Sequence, residues 1–174
     1  QQVSSHDAFL FCNWLSQLED RAPCYSRVEG IWELNKEADG YRLPTQREWE
    51  YACRAGTSTN FACGDDESYL SDYAVCDFSR TLPCGSKQCN GWGLFDMHGN
   101  VYEWCRDYYQ FNYYSLPERP ATDPEGVSSG LSRVMRGGSW WEGAGSTRSA
   151  YRYFDSPSLS YDDLGFRLVL PHSQ

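Results

Sequence analysis

Two stretches of this 174-residue chain hold side chains whose type and spacing could do chemistry. In the first, Asp96 and Glu103 stand seven residues apart across a Gly99-Asn100 turn. Such a turn can fold carboxylates and backbone carbonyls around a hard cation, which takes oxygen ligands. Spacing alone favours a plainer arrangement, in which Asp96 caps the turn, Glu103 pairs with an arginine and His98 is a turn residue. The second stretch, residues 133–167, reads RVMRGGSWWEGAGSTRSAYRYFDSPSLSYDDLGFR. Scaffold-like residues (Arg133, Arg136 to Trp140, Arg148 to Ala150, Arg152, Pro157, Gly165 to Arg167) alternate there with runs rich in Tyr, Ser, Asp and Gly. Those runs have no period of 2 or 3.6 that would mark a packed face. Tyr supplies rigid amphipathic contact area and Ser and Gly supply adaptable polar contact, so the composition is that of a recognition surface. The bland alternative is a polar loop between two strands.

The eight cysteines are even in number, but spacing fixes neither their pairing nor the redox compartment. Cys84 and Cys89 enclose four residues including Gly85, which suits a small disulfide loop if their Cα atoms approach to about 5.5 Å. Cys63 with Cys76 is a second pairing. A C-x4-C with no matching ligand pair elsewhere does not specify zinc.

Composition narrows the classes. The length suits one domain with a sizeable core, and 40% hydrophobic with 16% aromatic residues excludes disorder. With 15 Lys plus Arg against 24 Asp plus Glu, the formal charge of -9 repels a phosphate backbone and argues against nucleic acid as a partner. No apolar run approaches the roughly 20 residues that span a bilayer, so no membrane insertion is expected. No signal-peptide pattern is read in the first residues given, so none is expected there. QQVSSHDAF reads as the entry to a helix, which leads us to expect an upstream segment, removed or carried on a second chain.

The positioning elements follow from periodicity. Ala8, Phe9, Phe11, Cys12, Leu15 and Leu18 recur at helical spacing over residues 4–17, with Ser4 or Ser5 as cap. Residues 19–40 are irregular apart from a short strand at 31–33. Thr45 followed by Glu48 fits a capping box for a helix that runs to Arg54 and closes at Gly56, with Trp49 and Ala52 inward. Residues 57–90 give no regular element. YEWCRDYY at 102–109 is strand-like, Pro117, Pro120 and Pro124 bound a loop over 110–130, and residues 165–170 form a short strand stopped by Pro171.

YRLPTQREWEYACRAG at 41–56, NGWGLFDMHGNVYEW at 90–104, RVMRGGSW at 133–140 and GFRLV at 165–169 resemble the formylglycine-generating enzyme (sulfatase-modifying factor) family. The resemblance implies an α+β, C-type-lectin-like fold with much irregular loop, forming one domain over residues 1–174. It also implies that the N-terminal segment usual before the first helix is missing, which leaves the 165–170 strand an open edge. The family's enzymes use two cysteines between the GGS and GFR motifs to hold copper and oxidise a substrate cysteine. This chain has no cysteine after Cys105, hence no soft ligand for Cu(I) there, and neither copper nor that oxidase activity is expected. By the same resemblance a structural calcium would take Asp96 and Glu103 by side chain and Gly99 and Val101 by carbonyl, although Asn can stand at the first position. The family's other calcium site falls in a region shortened here.

The last third more closely resembles the variable proteins of diversity-generating retroelements. Their skeleton RVxRGGSW…A…RSAxR…GFRLV stays constant while selected positions vary by adenine-directed mutation, most often of AAC codons. Such changes give Tyr, Phe, Asp, Ser, Gly, Thr and Leu, the types found at Gly143, Gly145, Ser146, Thr147, Tyr151 and most of 153–163; Trp141 and Glu142 do not arise from AAC. The resemblance implies a non-enzymatic ligand-binding protein whose variable region is 133–167. Its ligand contacts would be Trp141, Glu142, Gly145, Tyr151, Tyr153, Phe154, Asp155, Ser156, Ser158, Ser160, Tyr161, Asp162 and Asp163. The aromatics would anchor the ligand, the aspartates would select charge at the edge, and Arg136, Arg148, Arg152 and Arg167 would hold the frame. The aromatic and acidic patch favours a protein or cell-surface macromolecule as ligand, and the location is not in the sequence, although an exposed or extracellular one is favoured over the cytoplasm. The alternative is a non-diversified accessory or binding domain of the same family.

Overall fold

The computed structural model describes residues 1–115, 126–127 and 129–171. The loop prolines Pro117, Pro120 and Pro124 lie outside the described residues.

Helix α1 (Ser5–Leu18) starts at a capping box: the Asp7 N–H donates to Ser4 Oγ at 3.1 Å, and the Ser4 N–H donates to the Asp7 carboxylate at 2.9 Å. Its buried stripe is Ser5, Ala8, Phe9, Cys12 and Ser16. The expected inward set is therefore split. Phe11 and Leu18 lie off that stripe and, with Leu10 and Trp14, face outward. A tight hairpin follows, β1 (Tyr25–Val28) paired antiparallel with β2 (Ile31–Leu34). Its two-residue turn places Glu29 and Gly30 at φ 49° and 87°, as the turns that match strand twist require.

Helix α2 (Gln46–Arg54) begins at the expected Thr45/Glu48 box and ends at Ala55, which takes the left-handed conformation just before Gly56. Trp49 is buried inward, and Ala52 is half-buried against the same cluster. After the short helix α3 (Leu70–Tyr73) comes the main sheet, of β3 (Tyr102–Tyr108), β4 (Arg133–Arg136), β5 (Tyr153–Asp155) and β6 (Leu164–Gly165), with a short helix α4 (Ala144–Thr147) between β4 and β5. The spatial order is β5-β4-β3-β6, with β6 parallel to β3 and the other pairs antiparallel.

Alternation along these strands divides the interior in two. Tyr102, Trp104, Met135 and Leu164 pack with Ala8, Phe9 and Cys12 of α1, while Cys105 and Val134 pack with Trp49 and Cys53 of α2. The strand expected over 165–170 is shorter than its motif. The chain leaves β3 after Gly165 and is caught instead by Arg42, whose N–H and C=O pair with Val169 at 3.0 and 2.8 Å.

Two further expectations change, and one is qualified. His98 lies in a bend, as a turn residue would, but it is buried and packed: Nδ1 meets the Thr147 carbonyl at 2.8 Å, and Nε2 accepts the Ala62 N–H at 3.0 Å. Burial holds its pKa below the usual imidazole value. All eight cysteines are free thiols, so neither disulfide is formed. Cys63 and Cys76 pack as small apolar groups beside Phe61, Leu70 and Ala74, and the turn at Cys84 is closed by the Ser86 N–H on the Pro83 carbonyl.

Candidate ligand-binding site

One end of the α1-side face of the sheet is left open as a groove of about 460 Å3. Tyr102, Met135, Tyr153 and Leu164 form its floor, one from each strand. The chain leaving β4 supplies one wall, Trp140 to Glu142, and the chain entering β6 supplies the other, Tyr161 to Asp163.

The backbone beneath these side chains is held by residues that do not line the groove. The Phe78 and Asp77 N–H groups donate to the Trp140 and Glu142 carbonyls at 2.7 and 2.9 Å. On the opposite wall, Gln2 N–H donates to the Tyr161 carbonyl at 2.9 Å, and Ser5 N–H to the Pro157 carbonyl at 3.1 Å. Arg136, fully buried, donates to the carbonyls of Ser149 and Tyr151 at 3.0 and 2.8 Å, fixing the approach to β5. Gly138 (φ 74°) lets the first wall leave β4, because a Cβ there would come within 2.8 Å of the Ser146 carbonyl oxygen.

Within the groove Tyr102 and Tyr153 stack with ring centroids 5.4 Å apart. The Tyr102 hydroxyl donates to Glu142, and Trp141 Nε1–H donates to Asp163 at 2.9 Å. Burial, and then the bond to Glu142, push the Tyr102 phenol far above its ordinary pKa, so it stays a neutral donor. Desolvation and the charge of Asp155 also raise Tyr161.

The structure thus gathers Trp141, Glu142, Tyr153, Asp155, Tyr161, Asp162 and Asp163 from the expected contacts. Others stand elsewhere. Phe154 stacks on Tyr109 at 3.9 Å, and Tyr151 is half-buried against the main core. Gly145 lies exposed on α4, while Ser156, Ser158 and Ser160 belong to the outer loop. Arg148 is exposed and, among the described residues, its side chain bonds only locally, to the Gly145 carbonyl at 2.9 Å, unlike the deep donor Arg136. Sequence reasoning missed Tyr102, Met135, Trp140 and Leu164. The alternation of Tyr102 and Trp104 along β3 was the available signal for the first.

A second cavity, of about 480 Å3, is lined by all four residues that the family resemblance implies for calcium, Asp96, Gly99, Val101 and Glu103. Both plainer roles are present too: Asp96 accepts the Gly85 N–H at 2.8 Å, and Glu103 is gripped by Arg167 Nε and Nη2 and by Trp49 Nε1. Two of these oxygens keep acceptor capacity of the kind a hard cation uses. Among the described residues Asp96 Oδ1 is buried with no hydrogen-bond partner, and Glu103 Oε1 accepts one bond, from Arg167, leaving a lone pair. Among the described residues no three His, Cys, Asp or Glu side chains form a metal cage, so carbonyls would have to complete the shell.

Known proteins share this architecture. The Treponema denticola variable protein 1 superposes with a TM-score of 0.86 at 32% identity, covering 98% of this chain and 70% of that one. PvdO from Pseudomonas aeruginosa superposes at 0.76 and 27% identity, over 96% and 59%. In sequence, the formylglycine-generating enzyme of Streptomyces coelicolor is 36% identical over 146 residues, 74% of this chain and 46% of that protein. The serine/threonine-protein kinase pkn1 of Chlamydia caviae is 38% identical over 131 residues, 74% of this chain and 21% of that one. The chain thus spans less than half the length of these two sequence relatives. The fold is α+β, of the C-type-lectin-like, formylglycine-generating-enzyme type, and the cysteine pair for copper is not between its GGS and GFR motifs. With the model of the sulfatase-modifying factor enzyme 1-like domain matching residues 1–171, the chain belongs to that family.

Proposed function

We propose that this chain is a non-enzymatic binding module whose groove is a diversified recognition surface for a protein ligand. One observation carries the reading: side chains of the kinds that adenine-directed mutation produces, Tyr153, Asp155, Tyr161, Asp162 and Asp163, line one groove, while Arg136, Gln2 and Ser5 hold backbone beside them. Such a separation lets side chains change without loss of the frame. The likeness to a protein named as variable supports it.

The test is a displayed library with AAC-derived codons at Tyr153, Asp155, Tyr161 and Asp162. Most members should remain folded, and selection on protein targets should yield binders. A library that is mostly unfolded, or folded yet barren, would overturn the reading. Genomic sequence beside the gene gives a second check, because diversification requires a near-copy of the segment encoding 133–167 that differs mainly at adenines.

Two attachments belong to this proposal. A structural calcium ion held by Asp96, Gly99, Val101 and Glu103 would brace the turn into β3. The outward side chains Leu10, Trp14 and Leu18 of α1 are where an upstream segment or second chain would complete the fold.

A further inference from the structure

We propose that the groove takes a cationic side chain, an arginine or lysine presented by the polypeptide ligand. This rests on the groove being the binding site, and goes beyond that reading by fixing the chemistry of what enters.

Four carboxylates line the groove, those of Glu142, Asp155, Asp162 and Asp163, and among the described residues no Lys or Arg does. Glu142 accepts a neutral O–H from Tyr102 and Asp163 a neutral N–H from Trp141, so neither bond cancels a charge and each carboxylate keeps lone pairs for an incoming donor. Beside these acids stand three exposed aromatic side chains, Trp141, Tyr153 and Tyr161. An aromatic face attracts a cation through its quadrupole, and more strongly as water is excluded. Acids and rings therefore select the same charge.

Size and spacing choose among cations. Among the described residues no three acidic, Cys or His side chains gather at one point as a metal cage, and the four groove carboxylates come from three separate stretches, at 142, 155 and 162–163. The cavity of about 460 Å3 admits a whole extended side chain. A guanidinium, planar and with five donors, can stack on a ring and still reach both acidic walls, which a compact ammonium does less well. Arginine is thus preferred to lysine. A neutral or acidic side chain would meet unpaired carboxylates and be refused.

The test is an NMR titration of the full chain, following the Trp141 indole N–H and the groove amides. The probes are the N-acetyl methylamides of arginine, lysine and citrulline, the last being the neutral isostere of arginine. Arginine should move the Trp141 signal saturably, lysine more weakly, and citrulline at least roughly tenfold less at equal concentration, a difference that a lost charge-assisted contact readily supplies. Asp155→Asn with Asp162→Asn should weaken the arginine response several-fold; retained signal dispersion would verify the fold, and Asp162→Asn alone serves if the pair does not fold. Equal shifts with arginine and citrulline would sink the cation inference while leaving the groove as a binding face. No groove shift with any probe would also sink it, and the library selection would then decide the broader reading alone.

Discussion

Tyr153 and Phe154 are neighbours on β5 with nearly equal exposure, 43% and 42%, yet they face opposite sides of the sheet. Tyr153 stacks on Tyr102 in the groove, whereas Phe154 stacks on Tyr109, which packs against the α2-side core. Exposure alone would give them the same role. The closer stack on the structural side implies different consequences. Phe154→Ala should cost about 1–2 kcal/mol, from lost stacking and apolar area, and leave the groove intact. Tyr153→Ser should cost less than about 1 kcal/mol but abolish binding by any partner selected on the wild-type groove. Urea denaturation and a binding titration on both variants separate the two; a Phe154 variant of full stability and no binding would reverse the assignment.

Arg136 carries a different weight. Its guanidinium is fully buried and donates to Glu50 at 2.7 Å, to the Gln46 carbonyl at 3.2 Å and to the Ser149 and Tyr151 carbonyls. It joins α2, β4 and the approach to β5. Truncation would leave several acceptors and the Glu50 carboxylate short of a donor, a loss of about 3–5 kcal/mol. Arg136→Lys should restore little, because one ammonium cannot reproduce the fork. Arg148→Ala, at an exposed residue with one local bond, should change stability by less than about 0.5 kcal/mol. Chemical denaturation of the three variants checks the ranking, which fails if the two arginines prove equivalent.

How far the sequence discloses this arrangement depends on the range of the interactions involved. The capping boxes Ser4/Asp7 and Thr45/Glu48 act across three residues, so the α2 box could be read directly from Thr45 and Glu48. The sheet order could not, since β6 joins β3 in parallel from some sixty residues away. Within the site, the acids and aromatics of 141–163 were legible by type. Which of them share a groove was not, because β5 has three residues, too few for alternation to declare itself. Arg136 and Arg148 look alike in the chain, and long-range contacts with α2 and with the Ser149 and Tyr151 carbonyls are what distinguish the first.

Asp107 predicts an unusual pH dependence. It is buried, and although it accepts the Gln46 N–H at 2.7 Å, desolvation raises its pKa from 3.8 to about 6. Between those values the native chain keeps a proton that the unfolded chain has released, so this residue's contribution to stability falls as pH rises from about 4 to about 6, by on the order of 2–3 kcal/mol in all. Other groups act the opposite way. Glu48 and Glu50 are lowered by Arg42 and Arg136 despite desolvation, so their stabilisation is gained as pH rises towards 4.5. His98, lowered by burial, adds stability as pH rises through 6.5. The informative quantity is therefore the difference between wild type and Asp107→Asn. It should shift in favour of the asparagine variant as pH rises from 4 to 6 and stay level above about 7; a difference independent of pH would mean that Asp107 is ionised throughout.

Calcium provides the last test, and Asp96 is its probe. Among the described residues Asp96 Oδ1 has no hydrogen-bond partner, and Glu103 Oε1 keeps a lone pair beside its bond from Arg167, so both retain acceptor capacity for an entering cation. Binding only to the folded chain stabilises it by about 2.7 kcal/mol at a hundredfold excess over Kd. Millimolar calcium should thus raise the melting temperature measured in EDTA by several degrees, and magnesium, which demands tighter octahedral geometry, should do less. Asp96→Ala should erase the calcium increment while retaining the Arg167 to Glu103 pair. Should calcium raise the melting temperature of wild type and Asp96→Ala alike, the ion binds elsewhere, and the cavity is held by Arg167 and Trp49 on Glu103 without a metal.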